Sequence, residues 1–460
     1  MTNRRAPKAL GFCLAMIVLA SPAAGAGLTA GDVDDNLNFE AFQAYAAGAT
    51  EGVLNKLPDP DLSDRVTLRV RSADGAPVSW ARVVYRDADG PAGSSAMAFT
   101  GSDGVVRLFP AYELGGAAER LAVDVYHPTA QQPGTSVELA TADLAESRVF
   151  DVVLATGTPA PAALDLAIVL DTTGSMGDEF EYLADELEGI VGSVREQQPD
   201  VHMRFALVVY RDHGDAYVVR SYPFTDSLEG MQATLAAQDS RGGGDTPEAV
   251  EEALEAAMQL DWRGGNTAKL LWLVADAPPH ASGYDRTMEA YRDARERGVH
   301  IYPVSGSGVG DAAEYLFRVG ALLTQGRYAF LTDDSGIGES HVEPAVPCFQ
   351  VVELSDLLTR IVEGELAGHR VEAAPESVIR TVGNFHKGVC LAPGEEPGGE
   401  EPAPAPPELP GTARTSGPPS ATGETSAAST PGLGAPILLL ALAGVAVAAS
   451  RVRRPGKPRS

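Results

Sequence analysis

The stretch Ala163-Leu-Asp-Leu-Ala-Ile-Val-Leu170, followed at once by Asp171-Thr172-Thr173-Gly174-Ser175, decides how this chain folds. A continuous apolar run of this length reads as a strand buried on both faces, the kind found in parallel sheets covered by helices. Oxygen-bearing side chains then emerge at the strand's carboxyl end, where open α/β sheets bind ligands. Downstream, Phe180, Leu183, Leu187, Ile190, Val191 and Val194 recur at three- and four-residue spacings, the pattern of a helix with one face docked on a sheet. Met203–Tyr210, Tyr217–Arg220, Lys269–Asp276 and Val299–Val304 supply further strands. The order strand, helix, strand, edge strand, helix, helix, strand, helix, strand is that of a doubly wound α/β domain.

Two further blocks share the oxygen-rich character of the first. Gly242-Gly-Gly-Asp-Thr-Pro-Glu-Ala249 is expected to open a helix, and Asp276 closes a second buried strand. Magnesium takes about six oxygens in near-octahedral array and usually recruits only one or two carboxylates, keeping water for the rest. Asp171 and Asp276 with the hydroxyls of Thr173, Ser175 and Thr246 form such a donor set for Mg²⁺ or Mn²⁺. A cation held largely by neutral oxygens keeps uncancelled charge and has room for a carboxylate from another molecule.

The three blocks resemble the metal-ion-dependent adhesion site of von Willebrand factor type A domains, over roughly residues 163–368. The family's motif is Asp-x-Ser-x-Ser, then a Thr, then an Asp. Asp171, Thr173 and Ser175 match its first part with Thr in the middle position, Thr246 the second and Asp276 the third. The resemblance implies a non-enzymatic adhesion or protein-binding domain whose partner, a protein or surface polymer, presents a carboxylate. One alternative is that these residues merely cap helices, since Ser, Thr and Asp are favoured at N-caps and Pro at the first helical position. Others are a structural envelope component whose metal only stabilises the fold, or a phosphotransferase. Asp171-Thr-Thr-Gly-Ser175 also resembles the aspartyl-phosphate loop of haloacid-dehalogenase-type enzymes, in which the Asp is a nucleophile. Those enzymes also need a lysine at the site, and Lys269 starts the strand whose far end carries Asp276.

Between residues 62 and 156 the pattern changes to short alternating runs such as Val66–Val70, Ala81–Tyr85 and Leu121–Tyr126, broken by Asp74-Gly75, Asp89-Gly90 and Asp103-Gly104. Period two with Asp-Gly turns predicts an all-β antiparallel sandwich. Its turns resemble carboxypeptidase-regulatory-like and transthyretin-like modules. Ahead of it, residues 27–61 read as an acidic segment, in which Gly31-Asp-Val-Asp-Asp-Asn-Leu-Asn38 is a solvated lead-in to a helix starting at Phe39 rather than a calcium loop. Residues 157–162 form a linker.

The ends read differently. Residues 1–26, with Arg4, Arg5 and Lys8 before an apolar run and Ala24-Gly-Ala26 after it, have the form of a secretory signal peptide. After an extension at 369–392, residues 393–431 form a Pro-, Gly-, Ser- and Thr-rich stalk. Residues 433–450 are apolar for about the minimum bilayer-spanning length, and 451–460 are basic. Pro431-Gly432 ahead of this span is similar to archaeosortase and exosortase sorting signals. These features predict a protein secreted and anchored at the cell surface by a single span or its processed replacement. The net charge of −28 argues against binding nucleic acid. With Cys13 inside the leader, Cys348 and Cys390 remain; an even pair suggests one disulfide, two free buried thiols being the alternative.

Overall fold

The computed structural model describes residues 27–51, 56–91, 93–140, 148–244, 246–337 and 340–396. The chain begins with β1 (Thr29–Val33) and α1 (Phe39–Glu51). There follow β2 (Val66–Ser72), β3 (Arg82–Asp87), β4 (Ala96–Phe99), β5 (Val105–Leu108), α2 (Pro110–Leu114), β6 (Arg120–Tyr126), β7 (Thr135–Ala140) and β8 (Val149–Leu154). The alternation then begins: β9 (Ala163–Asp171), α3 (Gly177–Gln197), β10 (His202–Tyr210), β11 (Val219–Thr225), α4 (Leu228–Ala236), α5 (Val250–Met258), β12 (Thr267–Ala275), α6 (Tyr284–Arg297) and β13 (His300–Ser305). It closes with α7 (Asp311–Leu323), β14 (Tyr328–Thr332), β15 (Phe349–Glu353), α8 (Leu354–Ala367), β16 (Arg380–Val382) and a small hairpin of β17 (Phe385–His386) and β18 (Val389–Cys390).

The large sheet runs β11-β10-β9-β12-β13-β14-β1-β15-β16. From β10 to β14 neighbouring strands are parallel. Burial follows the expectation for such strands: every residue of β12 is buried, Lys269 included. Alternate side chains feed two apolar layers, with Leu166, Ile168 and Leu170 meeting α3, α4 and α8 on one face. Val169, Leu271 and Leu273 meet α5, α6 and α7 on the other. Phe180, Ile190 and Val194 of α3 are buried as the sequence spacing requires.

β1 departs from the sequence reading. Thr29–Val33 was expected in a solvated acidic segment, yet it lies between β14 and β15, antiparallel to both. Asp32, Asp35, Asn36 and Asn38 are buried. Their charges are answered from far along the chain: Arg327 Nη1 sits 2.6 Å from Asp32, and Arg318 binds both oxygens of Asp35 at 2.8 and 2.9 Å. Residues 62–156 are thus an insertion between the first strand of the large sheet and the rest of it. The sheet also takes in β16, from the segment expected to be an extension beyond residue 368.

Gly31 shows how tightly β1 is held. A Cβ there would lie 2.6 Å from the Phe330 ring and 3.1 Å from Phe349. Those two rings pack edge to face at 5.1 Å across the glycine's position. Gly31→Val should therefore cost about 1–3 kcal/mol through overpacking, read as a lower urea midpoint with unchanged slope.

In the inserted region β5-β2-β8 and β4-β3-β6-β7 form separate sheets. Val66, Leu68 and Val70 of one and Val83, Tyr85, Leu121 and Val123 of the other share one core. β4 and β7 were not anticipated, and β8 pairs with β2 in parallel rather than antiparallel register. Arg295 of α6, buried, joins this region to the large sheet through Glu113 at 2.6 Å.

Cys348 and Cys390 are joined, their Cα atoms 5.4 Å apart and 42 positions distant in sequence. Cross-linking a loop of that size restricts the unfolded chain by about 3–4 kcal/mol. Reduction, or Cys390→Ser, should lower stability by that order, with the hairpin losing amide-exchange protection first, since the disulfide ties β18 to the start of β15.

The anchoring expected from the sequence requires correction. No helix among the described residues is long and apolar enough to cross a membrane, which conflicts with a single-pass protein. The leader at 1–26, the span at 433–450 and the basic tail fall outside the described residues.

Candidate metal centre

β9 and β12 are parallel neighbours, with β10 on the outer side of β9, so the order in which strands are added to the sheet reverses between them. Leu170 pairs with Val274, which puts Asp171 and Asp276 side by side at the carboxyl ends of the two strands. This is the topological switch point, where the crevice of a doubly wound sheet opens.

Backbone bonds draw the remaining loops together there. Arg241 N–H donates to Thr172 O at 2.9 Å, and Gly174 N–H to Gly242 O at 3.2 Å. Glu248 N–H donates to Pro278 O at 3.0 Å, tying the loop before α5 to the loop after β12. Asp215 Oδ2 accepts the Gly243 N–H at 2.8 Å. The close approach at Gly243 needs glycine: its φ is +66°, and a Cβ would meet the Thr173 side chain and Glu248 Oε1.

Thr173, Ser175, Thr246 and Asp276 line one cleft of 1040 Å³, together with Glu248, Ser307 and Asp311. Asp171 is fully buried and does not itself line the cleft, but is bonded to Thr173, which does. One of its oxygens, Oδ1, accepts from Thr173 N at 2.8 Å and from Thr173 Oγ1 at 2.7 Å. Thr173 Oγ1 stands 3.2 Å from Ser175 Oγ. Having donated its proton to Asp171, the Thr173 hydroxyl has lone pairs left to give. The other oxygen, Asp171 Oδ2, is buried with no hydrogen-bond partner, and the same is true of Glu248 Oε2. The Tyr210 phenol faces Asp171 without reaching hydrogen-bond geometry.

These carboxyls are poised against one another. Burial and the neighbouring Asp276 push Asp171 up to about 7, although its bonds from Thr173 pull the other way. Burial, then Asp171, Asp212, Asp276 and Asp215, push Glu248 up to about 9. A concentration of acids that cannot all ionise together lacks a positive charge, and none of the described residues lining the cleft is a lysine or arginine. Oxygen donors alone, three of them hydroxyls, with orphaned carboxylate oxygens below, fit a hard divalent cation such as Mg²⁺ or Mn²⁺.

Capping does not account for these residues. α5 starts at Val250 with Ala249 as its N-cap, and Thr246 lies outside the helix. Neither the turn after Thr173 nor α3 has a side-chain cap. Lys269 lies at the opposite end of β12, its Nζ bonded to Arg297 O and set over the Phe99 ring. It does not reach the Asp171 cleft, where a phosphotransferase would need it. Glu248 was not among the site residues expected from the sequence, although its place two residues after Thr246 was the available signal.

Residues 165–304 match the family model described as von Willebrand factor A domain, and a domain of that family is found there. The matched stretch holds all five expected site residues. Two curated relatives share part of the chain. A protein of Acanthamoeba polyphaga mimivirus described as ariadne-like with a RING finger is 36% identical over 119 residues, 26% of this chain and 11% of the relative. The alpha-protein kinase vwkA of Dictyostelium discoideum is 24% identical over 144 residues, 31% of this chain and 23% of the kinase. The chain thus spans less than a quarter of either relative. Among solved structures, the conserved hypothetical protein BatB from Bacteroides thetaiotaomicron aligns at 12% identity with a TM-score of 0.32, over 44% of this chain and 98% of that one. Domains of this family typically serve as interaction modules, which makes adhesion or protein binding the functional class indicated.

Proposed function

We propose that this chain binds a partner through a divalent cation held by Asp171, Thr173, Ser175, Thr246 and Asp276, with Glu248 supporting the same cleft. The observation that carries the reading is the convergence of three loops on one cleft over the unpartnered Asp171 Oδ2 and Glu248 Oε2. When bound, Mg²⁺ or Mn²⁺ supplies an electrophilic centre able to take an acidic group of a protein or polymer as a further ligand. The residues around it hold that centre in place: Asp171 fixes Thr173 by two hydrogen bonds, and Asp215 fixes the glycine loop. A cleft with so many acids repels a free carboxylate until the cation is in place, so capture is conditional on metal.

The test is calorimetric titration of the full chain with Mg²⁺ and Mn²⁺, followed by capture from cell extract with and without a chelator. Wild type should bind the cation and retain a partner only in its presence, and Asp171→Ala should lose both. Cation binding without any metal-dependent partner would reduce the metal to a stabilising role. Absence of cation binding by the folded protein would end the reading.

A further inference from the structure

We propose a second metal site beside the cleft, formed by Asp212, His213 and His280 and suited to a borderline transition metal such as Zn²⁺ rather than Mg²⁺. Their ligand atoms all lie within 4.8 Å of one another. His280 Nε2 is 2.6 Å from Asp212 Oδ1, and His213 Nδ1 is 4.0 Å from the same oxygen. Ligands of a tetrahedral zinc ion at roughly 2.0–2.2 Å from the metal stand a little over 3 Å apart, a spacing these two distances bracket. The imidazole rings are stacked with centroids 5.1 Å apart, so both present an edge toward the same carboxylate.

The orientation of His213 is the second observation. Its far nitrogen, Nε2, sits 3.2 Å from Glu252 Oε1, and Glu252 is in turn held by Arg286 Nη1 at 2.9 Å. When His213 Nε2–H donates to that carboxylate, the Nδ1 lone pair is left directed at Asp212, the arrangement by which outer carboxylates fix metal-bound histidines. Two imidazoles and one carboxylate with a vacant fourth position suit zinc and its neighbours, whereas Mg²⁺ prefers oxygen throughout. The donors come from different loops: Asp212 and His213 follow β10, and His280 follows β12. Asp215, on the first of these loops, takes the Gly243 N–H at the cleft rim. A metal here clasps the two loops together and steadies that rim.

The test uses the full chain without a histidine tag, stripped of metal, with Mg²⁺ in excess to occupy the oxygen cleft, and titrated with Co²⁺ and then Zn²⁺. Nitrogen-ligated tetrahedral Co²⁺ should give strong visible bands that Zn²⁺ bleaches at one equivalent. Asp171→Ala should keep them, which separates this site from the oxygen cleft. His213→Ala, at a half-exposed position, and His280→Asn should abolish them, and Glu252→Gln should weaken Zn²⁺ affinity by about tenfold. The proposal is overturned if wild type gives no bands, the mark of a simple His280–Asp212 hydrogen bond. It is equally overturned if the bands survive both histidine substitutions in folded protein, or vanish in folded Asp171→Ala.

Discussion

Adding Mg²⁺ to the metal-stripped chain at pH 8 should raise its unfolding free energy by about 2.7 kcal/mol at a hundredfold excess over Kd, and Asp171→Asn should remove most of that gain. The size follows from mass action alone, and its pH dependence follows from the cleft. Asp171 has an ordinary value of 3.8 and is pushed up to about 7 in the folded chain by burial and Asp276. Between those values the native state binds more protons than the unfolded state, so the metal-free protein loses stability as pH rises. Glu248, raised from 4.5 to about 9, extends the loss further. The protonated carboxyls' contribution is fully present below about pH 4 and is gone once pH passes the folded-state values. A cation competes with those protons, so its stabilising effect should be small at pH 5.5 and large at pH 8.

Melting curves in chelator and in Mg²⁺, taken from pH 5 to pH 9, check this. Metal-free Asp171→Asn should lose less stability than wild type across the lower part of the range. Comparing the two cancels Glu186, also raised to about 7 by burial and common to both, and leaves Asp171 together with its push on Glu248. A flat wild-type profile, or an Mg²⁺ shift that Asp171→Asn leaves intact, would refute the assignment.

How much of this the sequence disclosed depends on how local the cause was. β9 and β12 were legible because a strand covered on both faces must be apolar throughout, and Asp171 and Asp276 were legible as the polar residues at which those runs stop. α3 was legible from its spacing. β1 was not. Thr29-Ala-Gly-Asp-Val33 is short, contains a glycine and an acid, and becomes a strand only because β14 and β15 offer unsatisfied ladders on either side. Asp32 and Asp35 look like solvent-facing charges until Arg327 and Arg318 arrive from nearly three hundred positions away. The parallel pairing of β8 with β2 has the same character, since alternation reports which face is buried and not which way a neighbour runs. Glu248 was hidden by a plausible local role at the start of a helix. His280 and Asp212, 68 positions apart, meet only because β10 and β12 flank β9.

The buried Asp35–Arg318 pair should produce the largest purely structural effect. Their side chains are 3% and 2% exposed, and the guanidinium reaches both carboxylate oxygens. Glu314 accepts from Arg318 Nη1 at 3.0 Å, and the Tyr45 ring lies 3.9 Å beneath its carbon. Burial alone pushes the Asp35 carboxyl up, and Arg318 offsets this without reversing it. Taking two charges out of water costs nearly what their attraction returns, so the pair itself adds little stability. Removing one partner is different, because Asp35→Ala strands a cation beneath the first turn after β1, and the expected cost is about 3–5 kcal/mol. Asp35→Asn combined with Arg318→Met and Glu314→Gln, which removes all three charges at nearly constant volume, should recover most of it. Chemical denaturation of the single and triple variants decides the matter. A loss below about 1 kcal/mol for Asp35→Ala would mean that Glu314 and Tyr45 suffice to hold Arg318, and that β1 is kept in the sheet by its backbone ladder and the Phe330–Phe349 packing around Gly31.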